Sequence, residues 1–199
     1  MLSISWVHWL VVLSAFISIA GASAYIRDTL LGKTKPNRVS WSLWAIAPLI
    51  GTAAAVTAGA DLWAIVRVFL AGLIPLLILL ASFVNARSYW RLNPFDLSCG
   101  ALSLAALMVW GLADSPRLAI LLAATGDGFA ALPTLHKAWK FPETESASVY
   151  IASFVSSLLV MPSIPVWNIE NAAFPVYLLA ISALMLTALY RRRLGWQSR

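Results

Sequence analysis

Cysteine and histidine are nearly absent from this chain, and the few present cannot act together. Cys99 stands alone, which excludes an intrachain disulfide and any cysteine-built metal site. His8 and His136 lie far apart, and no His, Cys, Asp or Glu set has metal-ligand spacing. No nucleophile–base pair and no phosphate-cradling glycine loop is visible, so neither an enzyme nor a resident cofactor is expected. Charge is scarce as well. With 11% charged and 61% hydrophobic residues, a chain of 199 residues has too little polar surface for a soluble domain and no room for a second one.

What the chain does have is seven apolar stretches, each roughly 20 residues long, the length needed to cross a hydrocarbon core of about 30 Å. They are read at Ser5–Tyr25, Val39–Ala60, Leu62–Val84, Phe95–Ala113, Leu118–Leu135, Ala147–Val166 and Ala172–Tyr190. Ala22-Ser23-Ala24 has the form of a signal-peptidase site, but Met1–Trp9 holds no Lys or Arg, so the first stretch is expected to be retained.

The basic residues give the orientation. Arg27, Lys33, Lys35 and Arg38 follow the first stretch, Arg87 and Arg91 the third, Lys137 and Lys140 the fifth, and Arg191, Arg192, Arg193 and Arg199 the last. The opposite side holds only Arg117. By the positive-inside bias the N-terminus is outside and the basic tail is cytosolic, in a multi-pass protein of the cell (inner) membrane. The net charge of +6 therefore reads as topology and as attraction to anionic lipid headgroups, with no nucleic-acid partner expected.

An internal repeat organises these stretches. Laying Lys35–Ser42 over Phe141–Ser148 matches Pro36 with Pro142, Ser40 with Ser146 and Ser42 with Ser148 at one offset (142 − 36 = 106). That offset places stretch 1 on 5, 2 on 6 and 3 on 7, and leaves 4 as a linker. The expected fold is an all-α membrane protein of seven transmembrane helices in a 3+1+3 plan of parallel triple-helix repeats. Residues 1–92 form the first repeat, 93–115 the linker helix and 116–199 the second repeat with its basic tail.

Pro133, Thr134, Lys137 and Trp139, followed by the polar run Glu143-Thr144-Glu145-Ser146-Ala147-Ser148, resemble the PQ-loop signature of the SWEET, SemiSWEET and cystinosin-like membrane proteins. The motif covers about 16 residues of the second repeat, and the 3+1+3 layout extends the likeness along the chain. It implies a transporter of a small polar solute by alternating access, hinged at Pro48 and Pro133. Thr134 stands where the family has Gln, Phe154 falls opposite Pro48 (154 − 106 = 48), and Asn85 and Asn171 sit at the ends of their stretches, so a sugar substrate is not implied. A non-transporting receptor or assembly factor on the same fold is the alternative, and the oligomeric state stays open.

The polar residues inside the stretches locate the candidate site. Asp127, between Gly126 and Gly128, lies near the bilayer midplane, where a carboxylate is costly unless it faces the bundle interior, a partner or water. It is the expected proton or solute site. Arg67 is the single basic residue within a stretch, and pairing with Asp127, binding an anionic solute group or snorkelling outward are its three roles. Pro48, Pro75 and Pro133 each remove a helical N–H and free the carbonyl four residues earlier. The ten Trp residues sit near stretch ends as an aromatic belt, with Trp44 deep enough to line a cavity as well.

The charge segregation predicts that the 33–38 loop is cytosolic and the loop around Glu170 external. Single-cysteine labelling of intact cells in a Cys99→Ala background should leave Lys35→Cys unlabelled until the membrane is opened. Labelling of residue 35 by an impermeant reagent from outside would reverse the topology.

Overall fold

A computed structural model describes residues 6–57, 59, 62–112, 115–164 and 166–193, with the side chains of residues 6–8, 62–64, 67, 116 and 170 outside the described set. Its helices are α1 (Trp6–Leu30), α2 (Arg38–Thr57), α3 (Leu62–Val84), α4 (Pro94–Gly111), α5 (Pro116–Lys140), α6 (Ser148–Val160) and α7 (Ile169–Tyr190). Single 3-10 turns occupy Ala86–Ser88, Pro142–Thr144 and Met161–Ser163, and no strand occurs among the described residues.

Five helical stretches are long and apolar enough to cross a membrane: Trp9–Leu30, Arg38–Thr57, Pro94–Gly111, Arg117–Lys140 and Asn171–Tyr190. Val68–Val84 and Ser148–Ser163 are apolar but shorter. Burial follows the same logic. Large apolar side chains such as Phe16, Met108 and Leu184 are exposed, while Thr29, Asn37, Ser40, Thr134 and Lys137 are buried. This arrangement, apolar outside and polar inside, suits a hydrocarbon solvent and marks an integral membrane protein.

Two helices overrun the expected ends. α1 continues to Leu30 and α5 to Lys140, about five residues past the apolar runs that define them in sequence. The extra turns carry Thr29, Lys137 and Ala138, all buried, so tertiary contact sustains helix where hydropathy has ended. α6 ends early, at Val160, where Pro162 opens a 3-10 turn.

The helices meet through small residues. On α1, Ser14, Ser18 and Gly21 share the face turned to α6: Ser156 Oγ donates to Ser14 O at 2.9 Å and lies 3.0 Å from Ser18 Oγ. A Cβ on Gly21 would collide with Ala152 Cβ and come within 2.8 Å of Ser148 O, so only glycine permits this crossing. α4 meets α5 in the same way, with Ser103 Oγ donating to Gly126 O at 2.7 Å. α3 lies against both α1 and α2, α7 against both α5 and α6, while α1 touches α6, and α2 touches α5. α4 packs on α5 and α2.

Trp41 departs from the aromatic-belt expectation. It is 3% exposed and packs in the core with its ring centroid 5.2 Å from Tyr25 and 5.0 Å from Trp44. Its position near a helix end suits a belt, but that end is closed over by the loops, so the indole sits in protein instead of at the lipid interface.

Gly21→Ala should destabilise the protein by about 1–3 kcal/mol through overpacking of the α1–α6 crossing. Thermal unfolding in detergent measures it, and Ala152→Gly, which removes the opposing methyl, should restore much of the loss.

Candidate functional site

Polar side chains gather at two levels. The first is at mid-helix, where Asp127 stands partly buried in α5. Tyr177 of α7 donates its hydroxyl to Asp127 Oδ2 at 2.6 Å. A Cβ at Gly128 would make only an ordinary contact with the Tyr177 ring, at 3.8 Å. From α2, the Trp44 indole faces the same carboxyl. One turn farther along α2, Pro48 leaves the Trp44 carbonyl without its helical donor, so α2 is weakened beside the acid. The structure places Trp44 of α2 beside Asp127 of α5. Arg67 is placed in α3, with its side chain outside the described residues.

The second level is at the basic end of the bundle, around Lys137 and Glu145. Their side chains are 1% and 0% exposed, and Lys137 Nζ lies 2.5 Å from Glu145 Oε1. Glu145 Oε2 accepts the Tyr25 hydroxyl at 2.7 Å and the Tyr150 hydroxyl at 3.3 Å. Lys137 also donates to the Lys35 carbonyl. The Lys35 N–H donates in turn to Thr144 O at 2.9 Å, and Ser146 Oγ donates to Asp28 Oδ2 at 2.9 Å. Two loops, 33–36 and 144–146, are thus sewn together over a buried ion pair.

The remaining motif residues surround this cluster. Pro133 is buried within α5, and Thr134 beside it donates to Ser40 of α2 at 2.8 Å. Trp139 instead points outward, 38% exposed, with the Arg191 guanidinium 5.3 Å from its ring centroid. The motif thus divides by helical face: Pro133, Thr134 and Lys137 turn inward, and Trp139 holds the basic C-terminal end of α7.

Trp41 Nε1 and Trp44 Nε1 of α2, and Asn37 Nδ2 just before that helix, are buried N–H groups that close no hydrogen bond among the described residues. Trp41 and Trp44, three residues apart, share one face of α2.

Sequence reasoning missed Glu145, Tyr25, Tyr150 and Tyr177 as site residues. Glu145 had a signal: a basic motif residue that enters a membrane-embedded helix end needs a counter-charge, and Glu145 is eight residues away. Tyr25 and Tyr177 had none, because each reaches its carboxylate from a helix distant in sequence, and Tyr150, five residues from Glu145, is one aromatic among many in an apolar helix.

Glu145→Gln alone leaves the Lys137 ammonium buried without a counter-charge, at an expected cost of about 3–5 kcal/mol. The double variant Glu145→Gln/Lys137→Met removes both charges and should unfold at a higher temperature than the single one. A double-variant loss equal to the sum of the Glu145→Gln and Lys137→Met losses would show that the ion pair has no energetic coupling.

No protein-family model, no curated protein and no solved structure matches this chain, so its function rests on the site itself.

Proposed function

We propose that this protein is a SWEET-like PQ-loop carrier that moves a small polar solute across a cell membrane by alternating access. The observation that carries the reading is the order of helix contacts. Exchanging α1 with α5, α2 with α6 and α3 with α7 maps those contacts onto themselves: α1–α3 onto α5–α7, α2–α3 onto α6–α7, and α1–α6 onto α5–α2. Such an exchange is what two parallel triple-helix units around one axis produce, and α4 is the helix left over.

In this reading α3 and α6 cross the membrane too. The 23 residues of α3 extend about 35 Å at 1.5 Å per residue, and the Met161–Ser163 turn lengthens α6. The two units rock about a central path that carries Asp127, Tyr177 and Trp44, with Pro48 and Pro133 as the hinges. Asp127 exchanges a proton or engages a donor group of the solute. The unpaired donors of α2 support a hydrated path over a dry core, and a dry core would suit the receptor or assembly-factor alternative.

Asp127→Asn keeps the side-chain shape and its hydrogen bonding to Tyr177 while holding the group neutral. In liposomes, with a solute selected by thermal-shift screening of amino acids, sugars and small carboxylates, uptake driven by a pH gradient should be lost and solute exchange retained. Wild-type pH dependence in Asp127→Asn would remove the acid from the mechanism. Binding of the solute without saturable flux in the wild-type protein would favour the receptor.

A further inference from the structure

We infer that the Lys137–Glu145 pair is a charge-neutral latch built within the second helical unit, and that the carrier opens toward the cytosol by releasing the hydrogen bonds that cross the seam, chief among them Tyr25 to Glu145 and Lys137 to the Lys35 carbonyl, while the ion pair stays intact. The inference deepens the alternating-access reading and rests on it.

Both charges of the pair belong to one side of the seam. Lys137 is on α5 and Glu145 is on the connection from α5 to α6. They neutralise each other there, and Tyr150 of α6 adds a bond to the same carboxylate from the same side. What crosses to the first unit is one leftover donor and one leftover acceptor. The donor reaches Lys35 O, and the acceptor is Glu145 Oε2, which takes the Tyr25 hydroxyl at 2.7 Å. The Lys35 N–H bond to Thr144 O and the Ser146 bond to Asp28 line up beside these along the seam.

This division matters for opening. Separating two unit charges in a low-dielectric interior would demand a large energy at each cycle, whereas hydrogen bonds exchange for bonds to entering water. Once the seam parts, the pair faces cytosolic water as a hydrated, neutral wall. The Thr134–Ser40 contact lies one helical turn deeper, about 4.5 Å along α5 from Lys137, and is uncovered next.

Tyr25 and Tyr150 allow a sharp test, because they donate to the same oxygen from opposite sides of the seam. Ser40→Cys, buried in the closed form, is introduced into a Cys99→Ala background, and its reaction with an impermeant methanethiosulfonate is timed in inside-out vesicles. Adding Tyr25→Phe, which keeps the ring against Trp41 and loses the cross-seam bond, should raise the rate about tenfold, the equivalent of one hydrogen bond to a charged group. Tyr150→Phe should leave it close to the parent rate. Equal acceleration by the two would mean general loosening, and no acceleration by Tyr25→Phe would leave no latch; either result overturns the inference. Thermal unfolding of each variant confirms that a folded protein is labelled. Because labelling reads opening and not flux, selective acceleration without transport of any solute would sink the carrier reading and leave the latch standing.

Discussion

A buried ammonium and a buried carboxylate with no water around them must find each other, and at the basic end of this bundle that requirement draws four chain segments together. Lys137 and Glu145 are almost wholly excluded from solvent, so every remaining donor and acceptor on them needs a protein partner. Tyr25 supplies one from α1, Tyr150 another from α6, and the Lys35 backbone a third. The overrun of α1 and α5 past their apolar runs follows from the same demand, because the extra turns are what bring Thr29 and Lys137 under cover.

The seams between helices are tuned differently. Along α1 and α6, Ser14, Ser18 and Gly21 meet Ala152 and Ser156 closely enough that one added methyl collides. Lipid gives no hydrophobic drive for helix association, so this closeness and its serine bonds hold α1 and α6 together. Along α2 and α5 the residues are larger: Trp44 faces Asp127, and Thr134 with Ser40 forms a hydrogen bond across the seam. Where Gly21 gives α1 a tight crossing, the residue at the same repeat position in α5 is Asp127 (127 − 21 = 106). Glycine lets the first pair of helices cross closely, and the carboxylate puts a polar group in the second seam.

A carboxyl held by a tyrosine hydroxyl, beside an indole and a proline-weakened helix, is chemically suited to exchange partners. Tyr177 donates to one oxygen of Asp127, and the Trp44 indole faces the same carboxyl from α2.

The apolar stretches, their approximate ends and the identity of Asp127, Trp44, Pro133 and Lys137 as residues of interest were all readable in order along the chain, because hydropathy, proline and intramembrane charge act locally. The 106-residue offset was readable for the same reason, as a pattern of linear positions. Other features depend on which helices become neighbours. That Tyr25 reaches Glu145 from α1, that Tyr177 reaches Asp127 across fifty residues and that Trp41 lies in the core instead of the belt all arise from contacts between different helices. Hydropathy states how much of a residue prefers lipid or water; only the packed bundle decides which polar group meets which, since a hydrogen bond depends on distances that one-dimensional order leaves open.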